Sequence, residues 1–224
     1  FPNFVPWVEG STGINIDNRV NNTTDLNDAP PPRRNEEFLE GIRGAFNRIS
    51  FDNKDRNFHG HGHTCQEIHA LRFGRLHRVP DVVVWPGSHE DVERIVQQAA
   101  LHNVCVIPYG GGTSVSGALE CPHDEQRMIV SLDMQCMNNI LWVDHKNMLM
   151  CAQAGIMGQD LQRRLEAQGV TTGHEPDSSE FSTLGGWVST RASGMKKNIY
   201  GNIEDLLVSV KLVTPQGTLE KGSL

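Results

Sequence analysis

The sequence predicts an α+β fold that follows a loop-rich and helical N-terminal segment. Residues 81–108 run strand, helix, strand and then a glycine-rich loop, which is a βαβ unit. Three further short apolar runs lie between residues 128 and 154. Residues 1–36 carry few periodic apolar positions and many Asn, Asp and Pro residues, so the ordered core belongs downstream.

A length of 224 residues suits one large domain, or one domain plus an extension. The chain opens on Phe1 and ends in Val213 to Lys221, which reads as a hairpin still under way. Both ends predict a piece of a longer protein. No run of about eighteen apolar residues occurs, so no transmembrane helix is predicted, and no signal peptide is visible. The formal net charge of −7 argues against a nucleic-acid-binding surface, which needs a basic stripe. Cys65, Cys105, Cys121, Cys136 and Cys151 are odd in number and show no CxxC pairing. That pattern favours a reducing or non-secretory compartment, with Cys105 and Cys151 as small core residues in apolar strands.

Along the chain, residues 21–34 read as an extended connector, because Pro30 to Pro32 cannot be helical. Residues 35–49 place Phe38, Leu39, Ile42, Phe46 and Ile49 at roughly helical spacing, with Asn35 as N-cap and acidic residues in the first turn. His59, His61 and His63 alternate with Gly60 and Gly62. In a strand they would share one face and invite a metal, but the glycines weaken strand structure and no acidic or Cys ligand completes a standard spacing. Loop histidines near a polar ligand is the competing reading.

Asp81 to Pro86 is a buried strand signal closed by proline. Ser88 then starts a helix, with Asp91 at the N3 position of a capping box where Glu or Gln is usual. Val92, Ile95, Val96, Ala99 and Ala100 form its apolar face. Val104 to Pro108 is the next strand. Met128 to Leu132, Ile140 to Val143 and Met148 to Ala154 follow as strands, the last two joined by the polar turn Asp144 to Asn147. Residues 158–169 form a short amphipathic helix with Leu161 and Leu165 inward and Gly169 as the C′ glycine. Leu206 to Val213 alternates Leu206, Val208, Val210 and Leu212 against Leu207, Ser209, Lys211 and Val213, as a strand with one face buried.

Two stretches carry chemistry. The first is the loop Pro108-Tyr109-Gly110-Gly111-Gly112-Thr113-Ser114-Val115-Ser116-Gly117. Its glycines free the backbone, and exposed amides in such a turn make a concave site for a phosphate or pyrophosphate. An ordinary glycine-rich turn is the bland alternative. A P-loop is excluded because Ala118 stands where Lys is required, and neither Gly110 nor Gly112 starts a GxGxxG. The second is Gly173 to Gly194, dense in small hydroxyl residues and glycines. There Gly185-Gly186 reads as a loop feeding a short helix, whose N-terminal amides and dipole would favour an anion. A Ser/Thr-rich surface loop is the alternative.

Together these stretches resemble the FAD-binding domain of the vanillyl-alcohol oxidase or p-cresol methylhydroxylase type. More narrowly, they resemble the alkyldihydroxyacetonephosphate synthase family of ether-lipid and plasmalogen synthesis. The matching residues extend to Asp55-Arg56, His61 to His63, Arg78 to Asp81, Trp85-Pro86, Leu141 to Asp144 and Gly173 to Gly201. The resemblance implies a two-subdomain α+β FAD-binding fold. Residues 1–79 would be the N-terminal segment. Residues 80–224 would be an FAD-binding domain incomplete at its C-terminal end, with the substrate domain missing.

The resemblance assigns Pro108, Tyr109, Gly110, Gly111, Gly112, Thr113 and Ser114 to the FAD pyrophosphate. It assigns Asp177, Ser178, Ser179, Glu180, Phe181, Ser182 and Thr183, with Thr190, Arg191, Ala192 and Ser193, to the flavin's other side. The hydroxyls of Ser182, Thr183, Thr190 and Ser193 could reach phosphate or ribitol, and Arg191 could pair with the pyrophosphate, a surface ion pair being the alternative for an Arg. Thr113 stands where relatives of this fold link FAD covalently through His, so non-covalent FAD is implied. The implied reaction replaces the acyl group of acyl-dihydroxyacetone phosphate with a long-chain fatty alcohol, without net redox. His174 is the candidate catalytic proton carrier, because an ordinary pKa of about 6.5 suits neutral pH. A structural His bonded to the loop backbone is the alternative. The family also implies a peroxisomal location, peripheral membrane association and a homodimer. A flavin 2-hydroxy-acid dehydrogenase and a non-catalytic flavin- or lipid-binding remnant are the competing functions, and the fragment alone is expected to be inactive.

Overall fold

The computed structural model describes residues 2–16 and 28–221. The predicted connector therefore lies partly outside the described residues. From residue 28 to Asn35 it is neither helix nor strand, as the three prolines require. Helix α1 (Phe4–Thr12) ends at Gly13 in the left-handed conformation and buries no side chain.

The helix expected over residues 35–49 is only α2 (Glu36–Gly41). Asn35 caps it as predicted, its side chain accepting from the Phe38 amide. The helix stops because Gly41 and Gly44 interrupt it, Gly44 at a φ of 79°, and the chain then turns into strand β1 (Arg48–Ser50). Phe38 and Ile42 keep the inward positions that the periodicity gave them. Helices α3 (Asn53–Phe58) and α4 (Cys65–Phe73) follow, the second closed by a capping box between Thr64 and Glu67.

The main sheet has four strands, β1, β2 (Val82–Trp85), β4 (Ile129–Asp133) and β3 (Cys105–Tyr109), in the order β1-β2-β4-β3. β1 runs antiparallel to β2, whereas β2, β4 and β3 are mutually parallel. Helix α5 (His89–Leu101) connects β2 to β3. Asp91 completes its capping box in place of Glu, accepting from the Ser88 amide while the Ser88 hydroxyl accepts from the Asp91 amide. Every residue of β2 and β4 is buried, as befits parallel strands covered on both faces. Val92, Ile95 and Ala99 of α5 pack with Val82, Val84, Val130 and Leu132 in a core that also takes Phe38, Ile42 and Ala45, so residues on both sides of position 80 share it.

A second core gathers Ile156, Leu161, Leu165, Trp187 and Ile203. It lies between the hairpin β5 (Ile140–Asp144) and β6 (Leu149–Ala152), helix α6 (Gly158–Glu166), helix α7 (Leu184–Thr190) and the short helix α9 (Ile203–Leu206), while α8 (Lys197–Tyr200) precedes α9 and buries no residue. The Asp144 carboxylate closes the β5–β6 turn by accepting from the amides of Lys146 and Asn147. Gly169 takes the left-handed C′ conformation expected of it, at a φ of 77°.

The terminal strand departs from expectation. Residues 203–206 are helical, and the strand β7 covers only Val210–Thr214, paired with β8 (Gly217–Lys221). Of the two alternating faces, one is open, with Leu206, Val208 and Leu212 37%, 51% and 57% exposed, whereas Val213 of the other packs against the main core. Alternation holds as a strand only from Val210 onward, and it carries no information on whether a partner layer covers a face. Among the described residues the five cysteines are free, with Cys121 buried and Cys105 and Cys151 half-buried in their strands.

Buried polar groups tie the entry of β2 to the connector. Arg56 is fully buried and donates to the carbonyls of Pro80 and Pro30 and to Asn53 Oδ1. Arg78 grips Asp81 through two hydrogen bonds of 2.8 and 2.6 Å, and Asp81 also accepts from the amides of Arg33 and Ile129. Such pairs are tolerable inside a core only when every partner is present.

Candidate functional site

The two glycine-rich stretches meet. The loop that leaves β3 at Tyr109 lies directly on residues 181–183. A Cβ added at Gly111 would lie 1.7 Å from the Phe181 carbonyl oxygen and 3.1 Å from Ser182 Cα. One added at Gly110 would lie 2.4 Å from Thr183 Oγ1. Gly112 sits at a φ of 70°, where a side chain is strained, and a Cβ there would meet the Tyr109 hydroxyl at 2.2 Å. Glycine is required at all three positions by close approach, so the loop is built and not merely permissive.

The backbone amides of Gly111 to Val115 find no acceptor within the fold among the described residues. Ser114 is held from outside instead: its carbonyl accepts from the His63 amide at 2.6 Å. Gly111 to Ser114 are buried or half-buried, whereas Val115 is exposed. Buried or half-buried amides are normally paired, so the free run from Gly111 to Ser114 beside a built turn asks for an anion. This is the concave arrangement that suits phosphate.

The second stretch behaves differently from the sequence expectation. The amides at the start of α7 are all taken by the protein. Leu184 donates to the Ile156 carbonyl at 3.0 Å, Gly185 to Ala154 at 2.8 Å, and Gly186 to the Thr183 hydroxyl at 3.2 Å. They are not free for an anion, because β6, its following turn and the Thr183 cap reach them first. Carbonyls of the same stretch cap α6, with Ser182 accepting from Gly158 and Ser179 from Gln159. Ser182 Oγ is buried and accepts from the Trp187 indole at 2.7 Å. Residues 179–183 therefore form the wall behind the glycine loop, clamped between α6 and α7.

The remaining predicted residues are distributed around that wall. Pro108 is exposed at the end of β3, and Tyr109 is buried beneath the loop. Asp177, Glu180 and Phe181 are exposed, while Ser178 and Ser179 are half-buried. Thr190 donates to the Gly186 carbonyl. Arg191 adopts the left-handed conformation and pairs with Glu204 at 2.8 Å, not with a group on the glycine loop. Ala192 accepts from the Ile203 amide, and Ser193 is exposed. Of these, Arg191 and Ala192 contact α9.

His174 is buried against Trp187, ring centroids 5.1 Å apart. Neither ring nitrogen has a hydrogen-bond partner among the described residues. It lines a cavity of about 170 Å³ together with Gly158, Gln159, Gln162, Glu175, Ser179, Glu180 and Trp187. The structural role, a His bonded to loop backbone, is therefore not what the side chain does. Burial pushes its pKa down, opposed by the charge of Glu204, so neutral imidazole with one donor and one acceptor is favoured.

The histidine run resolves into three environments. His59 is buried in the core, His61 turns its Nδ1 to the Gly62 carbonyl, and His63 anchors Ser114 through its backbone. Among the described residues no group of three His, Cys, Asp or Glu side chains is placed to hold a metal. Sequence reasoning missed the Gly62–His63 strap on Ser114. A Cβ at Gly62 would lie 2.4 Å from the Ser114 carbonyl, and the only signal for that contact was the alternating glycine itself.

Comparison with known proteins agrees with this geometry. The FAD binding domain family matches residues 80–223. The alkyldihydroxyacetonephosphate synthase of Caenorhabditis elegans is 49% identical over 224 residues, covering 98% of this chain and 37% of that protein. The synthase of Dictyostelium discoideum is 46% identical over 192 residues, covering 85% of this chain and 31% of its own length. The mitochondrial D-lactate dehydrogenase (cytochrome) of Arabidopsis thaliana is 30% identical over 173 residues, covering 77% of this chain and 28% of that protein. A solved alkyldihydroxyacetonephosphate synthase superposes with a TM-score of 0.83 at 44% identity, over 87% of this chain and 36% of that one. A berberine bridge enzyme superposes at 0.67 with 15% identity, over 83% of this chain and 37% of that one, a likeness of fold alone. This chain spans roughly a third of the length of the synthases it matches.

Proposed function

This chain belongs to the FAD binding domain family, and on that footing we propose that it is the cofactor-holding part of an ether-lipid synthase. The enzyme would replace the acyl group of acyl-dihydroxyacetone phosphate with a long-chain fatty alcohol. The identities with the two synthases support this assignment over a general flavin oxidoreductase. The observation that carries the cofactor reading is the run of unpaired amides from Gly111 to Val115, set against a wall that admits no side chain at Gly110 or Gly111.

In this reading the loop amides hold the FAD pyrophosphate without any lysine. Residues 177–183, which abut the loop at Phe181 to Thr183, would line the flavin beyond it, and Thr190 to Ser193 would bound the site near α9. FAD, bound non-covalently, supplies the bond-exchange chemistry at the dihydroxyacetone phosphate carbon. His174 carries a proton: with both nitrogens unpaired and its charged form disfavoured, it can accept at one nitrogen while donating from the other. Trp187 excludes water from one side of it.

Association with a membrane is proposed to be peripheral, because the substrates are amphipathic and no helix among the described residues is long and apolar enough to cross one. A peroxisomal location and a homodimer rest on the family resemblance. The test uses the full-length protein. It should convert acyl-dihydroxyacetone phosphate and hexadecanol to the ether product and release its flavin into the supernatant on acid precipitation. Turnover of D-lactate with an electron acceptor, and none of the ether substrates, would establish the hydroxy-acid dehydrogenase reading instead.

A further inference from the structure

His59 takes no part in the site described above, yet it is the most fully engaged histidine in the structure. It is 4% exposed. Its Nδ1 lies 2.7 Å from the Asp55 carbonyl oxygen, and its Nε2 lies 2.8 Å from Asp133 Oδ2. A carbonyl only accepts, so Nδ1 carries a hydrogen. The same Asp133 oxygen accepts from the Trp85 indole at 2.8 Å, and Oδ1 accepts from the Gln135 amide at 2.8 Å. Whichever atom holds it, one hydrogen lies on the line between Nε2 and Oδ2, and the imidazole is fixed at both ends.

That fixed ring packs on Tyr109, with centroids 4.3 Å apart, and edge-on to Trp85 at 5.4 Å. Tyr109 is the last residue of β3 and stands in register with Asp133 of β4. Its hydroxyl lies beneath Gly112, at the turn of the glycine loop. The contacts form one line from Asp133 through His59 and the Tyr109 ring to the loop backbone. Phe58 adds a second ring against Tyr109, centroids 6.2 Å apart, and residues 181–183 and 62–63 hold the sides of the loop.

We propose that the buried His59–Asp133 pair is a positioning device for the cofactor loop, holding the Tyr109 phenol under Gly112 and so setting the curvature of the free amides. This rests on the FAD reading of that loop. Ordinary core packing would use the same contacts for stability alone, so the two differ in what a substitution does to cofactor affinity in protein that remains folded.

The experiment titrates full-length protein, stripped of flavin, with FAD by fluorescence quenching at a temperature well below the melting point of each variant. His59→Leu, which keeps bulk and loses both hydrogen bonds, is expected to bind FAD at least tenfold more weakly. His59→Gln, whose amide nitrogen reaches the Nε2 position and still donates to Asp133, is expected to recover most of that loss. Tyr109→Phe removes only the oxygen under Gly112 and is expected to weaken FAD several-fold with little change in apoprotein melting. If His59→Leu does not fold, Tyr109→Phe decides. Unsubstituted protein that binds FAD, alongside folded His59→Leu or Tyr109→Phe that binds it equally well, overturns the positioning role alone. Equal losses in His59→Leu and His59→Gln overturn it too, because the Asp133 contact would then not be the cause. Unsubstituted protein that fails to bind FAD overturns the cofactor reading and this inference with it.

Discussion

Gly111→Ala isolates the seam between the two halves of the site. Gly111 is not among the residues at positive φ, so the backbone tolerates alanine there and the objection is wholly steric. The added methyl would sit 1.7 Å from the Phe181 carbonyl oxygen and 2.5 Å from its carbon. A close carbon-to-oxygen contact is about 3.3 Å, so the two backbones must part by roughly 1.6 Å. The wall cannot supply that movement. The Ser182 amide donates to Ser178 at 2.7 Å, its carbonyl accepts from Gly158 at 2.9 Å, and its hydroxyl holds the Trp187 indole. The glycine loop moves instead, carrying the free amides with it. Overpacking of this kind costs about 1–3 kcal/mol, and about 1.4 kcal/mol is tenfold in affinity. FAD titration of full-length protein should therefore show binding weakened by about tenfold or more. Gly186→Ala is the control, because its methyl meets only Thr183 Oγ1, at 3.2 Å, inside a helix. It should bind FAD within about threefold of the unsubstituted protein and gain about 0.5–1 kcal/mol of helix stability. Gly111→Ala with unchanged FAD affinity would refute the seam.

Two further outcomes follow from buried ionisable groups. Arg78→Met should cost about 3–5 kcal/mol in denaturant unfolding, because it strands the fully buried Asp81 carboxylate; adding Asp81→Asn should return part of that loss by removing the charge. His174 has a folded-state pKa below its ordinary value of about 6.5, so in that window the unfolded chain binds more protons than the folded one. Stability from this group is present above about pH 6.5 and is lost as pH falls below it, and melting curves from pH 7.5 to 5 should show a shallower fall in His174→Phe than in the unsubstituted protein.

Much of this fold was legible because local signals and tertiary structure agree. Asn35, Ser88 and Gly169 announced helix ends that the structure confirms, and the apolar face of α6 and that of α5 are inward as spaced, except that Ala100 is exposed. The misses share a cause. Phe46 and Ile49 fit a helical period, but two glycines and the pairing of Arg48, Ile49 and Ser50 with β2 outweigh it. Leu206 to Ser209 alternate in sequence but lie in a helix end and a loop, and the strand forms only from Val210, where it pairs with β8. His59 could not be distinguished from His61 and His63, because its partners Asp133 and Trp85 are 74 and 26 positions away in sequence and close only when β2 and β4 pair.

The two glycine-rich stretches looked chemically equivalent, and backbone hydrogen bonding separates them. A helix start with glycines is an anion site only if its amides are unclaimed. At α7 they are claimed by Ile156, Ala154 and Thr183, so its glycines serve close packing: a Cβ at Gly185 would lie 2.8 Å from Ala154 Cβ. After β3 they are unclaimed, and the glycines there serve close approach to the wall and leave the amides outward. The first stretch therefore supplies the donors and the second supplies their rigidity. On the proposed reading, that division lets a loop with no lysine hold a pyrophosphate: several amides fixed against a wall need no reorganisation when the anion arrives. It also locates the weak point of the site in Gly111 and its contact with Phe181 and Ser182, not in any charged side chain.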